Sequence, residues 1–261
     1  MEAPLFSPRE VERYARHLVL RELGGPGQQR LKRSTVALVG VGGIGAPAGL
    51  YLAAAGVGRL ILIDDDRVSL SNLQRQVIYA EADSGRLKVE AAAERLRALN
   101  PDVAVEARAG RLAPDTAARL LEGADLVLDG TDDFAARYAV NDACRSLNLP
   151  LVAGALGRWE GQAVLLRGRP CWRCWMPEPP PGAETCEAAG VVGALAGVIG
   201  SMAALLALRT LAGVGEDAAG RMQLFDGLNW TSRTVRITAD PSCPGCGPLH
   251  QPTSTQALAE D

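Results

Sequence analysis

A chain of 261 residues, 48% hydrophobic and 22% charged, can bury the core of one large α/β domain, with or without an appendage. Its net charge of −3 and the lack of a dense basic run give no reason to expect nucleic-acid binding. Charges near the N-terminus interrupt the apolar stretch that a signal peptide needs, so the chain reads as cytoplasmic, with its cysteines reduced.

In chain order, residues 8–23 align Val11, Tyr14, Leu18 and Val19 opposite charged positions, which predicts a short amphipathic helix. Strand-like runs at 35–39, 60–64, 103–107, 125–129 and 151–155 then alternate with helical patterns near 43–55, 86–98, 114–122 and 134–147. That alternation predicts an α/β fold with a doubly wound, mostly parallel, Rossmann-like sheet. A strand at 161–167, a proline-rich loop at 177–181, a helix at 188–212 and strands at 222–226 and 233–238 predict an antiparallel C-terminal extension. No internal repeat and no second domain are visible, so residues 1–261 read as one unit: an N-terminal helical motif (8–30), a nucleotide-binding core (34–168) and the extension (169–246). Residues 247–261 are polar and expected to fray.

Residues 188–208 carry no charge and are long enough to span a bilayer. The run is dominated by Ala and Gly, however, with few large aliphatics and no aromatic flanks. Gly193, Gly197 and Ser201 instead predict a buried helix whose small-residue stripe packs closely in a core or dimer interface.

The most informative segment is 40–76. Gly40, Gly42, Gly43 and Gly45 follow an apolar strand and open a small-residue helix, the arrangement that cradles a nucleotide phosphate on backbone N–H groups. Asp64 ends the next strand, where a Rossmann unit places the carboxylate that grips a ribose hydroxyl. These features alone suit an NAD-dependent oxidoreductase. Asp66, Ser71, Asn72, Arg75, Gln76 and Lys88 suit it less, since clustered cations and amides suit a triphosphate that is to be broken. No P-loop pattern is present, so side chains must supply its lysine's charge. Of the 27 basic residues only Lys32 and Lys88 are lysines, leaving 25 arginines. A lysine retained at 88 in that background points to a site that wants a compact charge.

Asp132 follows the apolar strand at 125–129, where ligands of open α/β sheets bind, but either it or Asp133 could instead cap the next helix. Cys171, Cys174, Cys243 and Cys246 form two CxxC pairs, which predict a closed, structural zinc site. Cys186 is left over ahead of a helix, where a thiol pKa falls, yet Glu184 and Glu187 oppose the thiolate. Cys144 and His17 read as structural residues.

Taken together, the motifs resemble the ThiF/MoeB/HesA family, relatives of ubiquitin-activating enzymes, nearest to its molybdopterin-synthase adenylyltransferase type. The resemblance rests on Arg13-Tyr-Ala-Arg16-His17 with Gly27-Gln28, on segment 40–76, on Gly85-Arg-Leu-Lys88, on Asp129-Gly-Thr-Asp132 and on the order of the cysteines, and it covers residues 9–246. It implies an enzyme that uses ATP and Mg²⁺ to adenylate the C-terminal glycine of a small ubiquitin-like sulfur-carrier protein ending in Gly-Gly. Gly40, Gly42, Gly43, Gly45, Asp64 and Asp66 would position the nucleotide; Asn72, Arg75 and Lys88 would neutralise phosphate charge; Asp132 would hold Mg²⁺. Arg16 would reach from one subunit of a homodimer into the ATP site of the other. Cys186 would serve sulfur transfer or a covalent link to the carrier, as in some relatives, or would be dispensable. A crossover loop at 175–190 would cover the threaded tail. No sulfurtransferase segment follows residue 246, so a separate sulfur-donor protein is expected, in molybdopterin, thiamine-thiazole or tRNA thiolation. The rival readings are the NAD-dependent oxidoreductase, a non-enzymatic zinc-stabilised binding protein on a degenerate activating-enzyme fold, and an enzyme activating a small-molecule or RNA-linked carboxylate.

Overall fold

Apolar runs bounded by glycine and polar turns form the strands of one sheet, seen in a computed structural model that describes residues 6–179 and 190–247. The strands are β1 (Thr35–Val39), β2 (Arg59–Asp64), β3 (Ala104–Ala109), β4 (Leu126–Asp129), β5 (Leu151–Gly157), β6 (Glu160–Leu166), β7 (Arg221–Asp226) and β8 (Thr231–Arg236). Their spatial order is β3-β2-β1-β4-β5-β6-β7-β8. The first five pair in parallel and the last three add antiparallel, as the sequence predicts. The chain order reverses between β1 and β4, so the carboxyl ends of these strands open a crevice at a topological switch point.

Alternation along each strand divides the core in two. Val36, Leu38, Leu60, Leu62, Leu126 and Leu128 face one cluster, built with α4 (Gly45–Ala54), α5 (Lys88–Leu99) and α9 (Gly193–Ala212). Ala37, Val39, Ile61, Ile63, Val127 and Leu151 face the other, with α6 (Ala117–Leu120), α7 (Phe134–Ser146) and Trp172 of the short α8 (Trp172–Trp175). Cys144 is buried in the second cluster, where desolvation pushes its thiol pKa up, so it is a core residue as expected.

α9 lies against α4, β5 and β6. Two glycines make its close contacts: a Cβ at Gly193, as expected, would sit 2.0 Å from the Gln74 carbonyl oxygen, and one at Gly200 2.5 Å from Pro47 Cγ and 2.6 Å from the Ile44 carbonyl oxygen. Gly197, expected in the packing stripe, has no neighbour for such an atom; the buried stripe runs through Ala196, Gly200, Ala203, Ala204 and Ala207. By length and composition α9 is the one helix among the described residues that could cross a bilayer, and it passes that test while packed on the sheet.

The N-terminal segment departs from the expected single amphipathic helix. It forms α1 (Pro8–Arg13) and α2 (Ala15–Leu18), divided at Tyr14, and then α3 (Gly24–Arg33). Tyr14 is buried and accepts a hydrogen bond from Asn100 Nδ2 at 2.9 Å, whereas Val11 and Val19 are exposed. Glu10 takes the buried place, paired with Lys32 at 2.6 Å. α3 begins on Gly-Gly-Pro-Gly, within the expected N-terminal helical motif; proline is tolerated in a first helical turn, and burial of Gln28 and Leu31 secures the helix. The helix expected at 114–122 shortens to the single turn of α6.

Candidate functional site

The crevice at the switch point gathers the loops that follow β1, β2, β3 and β4 around a cavity of about 240 Å³. Gly40, at φ +81°, turns the chain off β1; a Cβ there would lie 3.0 Å from the Gly130 carbonyl carbon. Gly45 opens α4 so close to that turn that a Cβ would approach the Gly40 carbonyl oxygen to 2.0 Å. Only glycine fits either place. The backbone N–H groups of Gly42 and Gly43 donate to nothing among the described residues. They precede the N-terminus of α4 and so form an anion cradle.

Asp64 fixes the neighbouring loop. Its two carboxylate oxygens accept from the N–H of Val41 and the N–H of Asp66, each at 2.8 Å, leaving a lone pair on each oxygen for a ligand hydroxyl. Burial pushes its pKa above the ordinary value, against the pull of nearby Lys88 and those two donors. Lys88 is the first residue of α5 and is buried, with its ammonium 2.8 Å from Asp66 Oδ2. A cation at the positive end of a helix and out of water is unfavourable unless an anion meets it. Asp66 meets it only in part, because that carboxylate's side chain is 68% exposed. Arg75 also lines the cavity and donates from Nη1 to the Ser71 carbonyl at 3.0 Å.

The structure distinguishes the two aspartates after β4. Asp133 caps α7, accepting from the N–H of Ala136 at 2.8 Å, and its other oxygen takes Arg111 Nη2 at 3.1 Å. Asp132 lines the cavity with no partner among the described residues, so its carboxylate is available to a cation.

Of the expected site residues, Gly40, Gly42, Gly43, Asp64, Asp66, Arg75, Lys88 and Asp132 converge on the cavity. Gly45 shapes the turn from outside the lining. Asn72 is not brought there: its Oδ1 accepts from the N–H of Ser69 at 3.4 Å and closes the turn Leu70–Asn72. Arg16 is exposed on α2 and does not line its own chain's cavity, while His17 Nδ1 pairs with Gln28 Oε1 at 2.8 Å, a structural contact. Cys186 and most of the expected crossover loop lie outside the described residues.

Among the lining residues not singled out as site residues, Gln76, Arg111 and Arg137 bring long polar side chains to the cavity. Gln76 was legible in its segment; it is buried, with Oε1 lacking a partner among the described residues. The two arginines carried no signal in a chain with so many.

Cys171, Cys174, Cys243 and Cys246 offer four sulfur atoms within 4.8 Å of one another. The Cys171–Cys243 and Cys174–Cys246 pairs stand 3.6 and 3.3 Å apart, far beyond a disulfide bond of about 2.05 Å and near the spacing of thiolates around one zinc ion. Burial and a hydrogen bond with Cys243 push the Cys171 thiol up to about 11, a cost that a coordinated cation removes. The donor set therefore fits a closed, four-thiolate metal site.

The ThiF family model matches residues 14–245. The chain is 45% identical over 241 residues to the SAMP-activating enzyme E1 of Haloferax volcanii, covering 91% of this chain and 89% of that protein. It is 44% identical over 262 residues to the sulfur carrier protein adenylyltransferase of Thermus thermophilus, covering 97% and 96%. It is 47% identical to the adenylyltransferase and sulfurtransferase MOCS3 of Bos taurus, covering 96% of this chain but 56% of that protein. In three dimensions it resembles E. coli MccB crystallised with ATP, with a TM-score of 0.79 over 95% of this chain and 76% of that one at 21% identity, a likeness of fold. A family match over most of the chain, with relatives about 45% identical along nearly their whole length, means that the chain belongs to the ThiF family.

Proposed function

We propose that this chain is an ATP-dependent adenylyltransferase that activates the C-terminal glycine of a small ubiquitin-like sulfur-carrier protein ending in Gly-Gly. The carrying observation is the cavity itself: glycine amides and an aspartate without partners among the described residues meet a buried, part-neutralised lysine at a switch point. Two relatives that match along most of their length are named for activating SAMP and for adenylylating a sulfur carrier protein, which supports the substrate class.

In this reading Gly42, Gly43 and the turn at Gly40 hold the nucleotide phosphates, and Asp64 receives a ribose hydroxyl. A terminal carboxylate oxygen of the carrier attacks the α-phosphorus; the bond to the bridging oxygen breaks and pyrophosphate leaves. That carboxylate is already ionised at neutral pH, so no general base is needed. Rate enhancement comes from placement and from charge, with Lys88 and Arg75 facing the phosphate oxygens as negative charge shifts toward the leaving group. Asp132 would hold Mg²⁺, which when bound offsets phosphate charge. Zinc at the four cysteines would be structural, since four thiolates leave no open position.

A homodimer completes the account. Arg16 is exposed and away from its own cavity, and Val11, Val19, Leu20, Tyr51 and Leu205 leave large apolar groups in water. A second copy would cover such groups and bring Arg16 to the site. Sulfur would come from a separate donor protein in the cytoplasm, in molybdopterin, thiazole or tRNA thiolation.

The test is intact mass spectrometry of Gly-Gly-ended carriers incubated with this protein, ATP and Mg²⁺, beside Asp132→Ala. An AMP adduct on one carrier, lost with the variant, is the expected result. Absence of an adduct on every carrier would overturn the proposal.

A further inference from the structure

The first CxxC pair is fastened to α7, the helix that follows the loop bearing Asp132. The N–H of Trp172 donates to Asn141 Oδ1 at 2.8 Å. Arg173 grips both oxygens of Asp142 at 3.1 and 2.8 Å and stacks 4.3 Å from the Tyr138 ring. Tyr138 Oη in turn donates to the Met176 carbonyl at 3.0 Å. Every one of these contacts joins α7 to the cysteine knot.

The contact nearest the cavity is made by Arg137. Its guanidinium is buried, lies 4.9 Å from the Trp172 ring centroid and donates from Nη2 to the Thr131 carbonyl at 2.6 Å. Thr131 is held from its other side: its N–H and hydroxyl donate to Asp129 Oδ1 at 2.9 and 2.6 Å. Asp129 is itself fully buried, and Arg137 is the cation that faces it. Thr131 is thus clamped between Asp129 and Arg137, one residue before Asp132. Arg137 Nη1 has no acceptor among the described residues, so the buried cation bears a desolvation cost that an aliphatic side chain under Trp172 would avoid. The charged head of Arg137 is used instead to face buried Asp129 and to hold the Thr131 carbonyl.

We propose that Arg137 is a positioning residue, braced by Trp172 of the cysteine knot, that holds the Thr131–Asp132 loop in the place where Asp132 serves the nucleotide's cation. The proposal rests on the assignment of Mg²⁺ to Asp132. It gives the four-cysteine module a second duty beyond stability, since the module sets the brace. The coupling runs through contiguous packed groups, from Cys171-Trp172 through Arg137 and Thr131 to Asp132.

The experiment measures binding of α,β-methylene-ATP by calorimetry with Mg²⁺ and with EDTA, taking the ratio of the two affinities. It uses the whole chain as wild type, Arg137→Met, Trp172→Leu, Asp132→Ala and the Arg137→Met/Asp132→Ala double variant, each checked for zinc content and thermal midpoint. Asp132→Ala should abolish the Mg²⁺-dependent gain. Arg137→Met should cut that gain by about tenfold and Trp172→Leu by less; Trp172 is not a lining residue of the cavity, so affinity in EDTA should stay within about twofold in Trp172→Leu, and the double variant should match Asp132→Ala, because coupled residues are not additive. Should Arg137→Met fail to fold, Trp172→Leu decides. Wild-type Mg²⁺ dependence in the folded Arg137 or Trp172 variants, or equal losses with and without Mg²⁺, would overturn the positioning role while leaving the metal assignment intact. Undiminished Mg²⁺ dependence in Asp132→Ala would overturn the metal assignment, and this inference with it.

Discussion

Replacing Lys88 with Met distinguishes a catalytic lysine from a structural one. Methionine has similar length and fills the same buried slot, so no cavity confuses the result. Were Lys88 present only for its pair with Asp66, the loss would be small: the partner's side chain is 68% exposed, and ion pairs reaching into solvent contribute about 0–1 kcal/mol. That corresponds to a fall in thermal midpoint of no more than about 4 °C for a chain of this size. A charge placed against the developing negative charge of the reaction is worth about 2.7–4 kcal/mol, or about 10²–10³ in kcat. The prediction is therefore a large kinetic loss with a small thermal one, read by single-turnover formation of the carrier–AMP adduct and by calorimetry. Lys88→Arg should rescue little, since a planar fork does not fit a slot shaped for a compact ammonium. A Lys88→Met variant within about threefold of wild-type kcat would refute the electrostatic argument.

Asp132 and Asp133 should separate cleanly: Asp132→Asn should lose adduct formation with an unchanged thermal midpoint, whereas Asp133→Ala loses the α7 cap and should cost about 1 kcal/mol of stability in urea unfolding. The reverse pattern would exchange their roles. For Arg16, mixing inactive Arg16→Ala with inactive Lys88→Met should restore about one quarter of wild-type activity, because half the dimers are mixed and each has one complete site; no recovery would place Arg16 outside the partner's site. Glu106 is hydrogen-bonded by Arg108 and by Arg59, which together hold its pKa down to about 2 from 4.5. A depressed carboxyl stabilises the fold above its unfolded value and loses that contribution as pH falls. The stability gap between wild type and Glu106→Gln should thus be present at neutral pH and close between pH 4.5 and about 2; a gap constant with pH would refute it.

What the sequence made legible was what local chemistry dictates. The strand runs, the glycine turn at 40–45 and the rare lysine at 88 each carry their reason within a few residues, and the fold placed all of them at one crevice. Features decided by distant partners were hidden. α3 begins on glycines and a proline, poor helix formers, and is secured by contacts such as Gln28 with the Ala55 carbonyl. Asn72 fell to a local use, capping its own turn, because short amides bond readily to nearby backbone. Arg111 and Arg137 were invisible among 25 arginines, since nothing in their neighbourhood marks them until Asp133, Thr131 and Trp172 are brought alongside. The choice between Asp132 and Asp133 was equally a matter of which one the helix consumed.

The central claim, attack of a carrier's terminal carboxylate on the α-phosphate, is tested most directly by exchange of labelled pyrophosphate into ATP. With Mg²⁺ and a Gly-Gly-ended carrier the account predicts rapid exchange, abolished when the carrier's last carboxylate is amidated. Exchange that persists with the amidated carrier, or without any carrier, would contradict it.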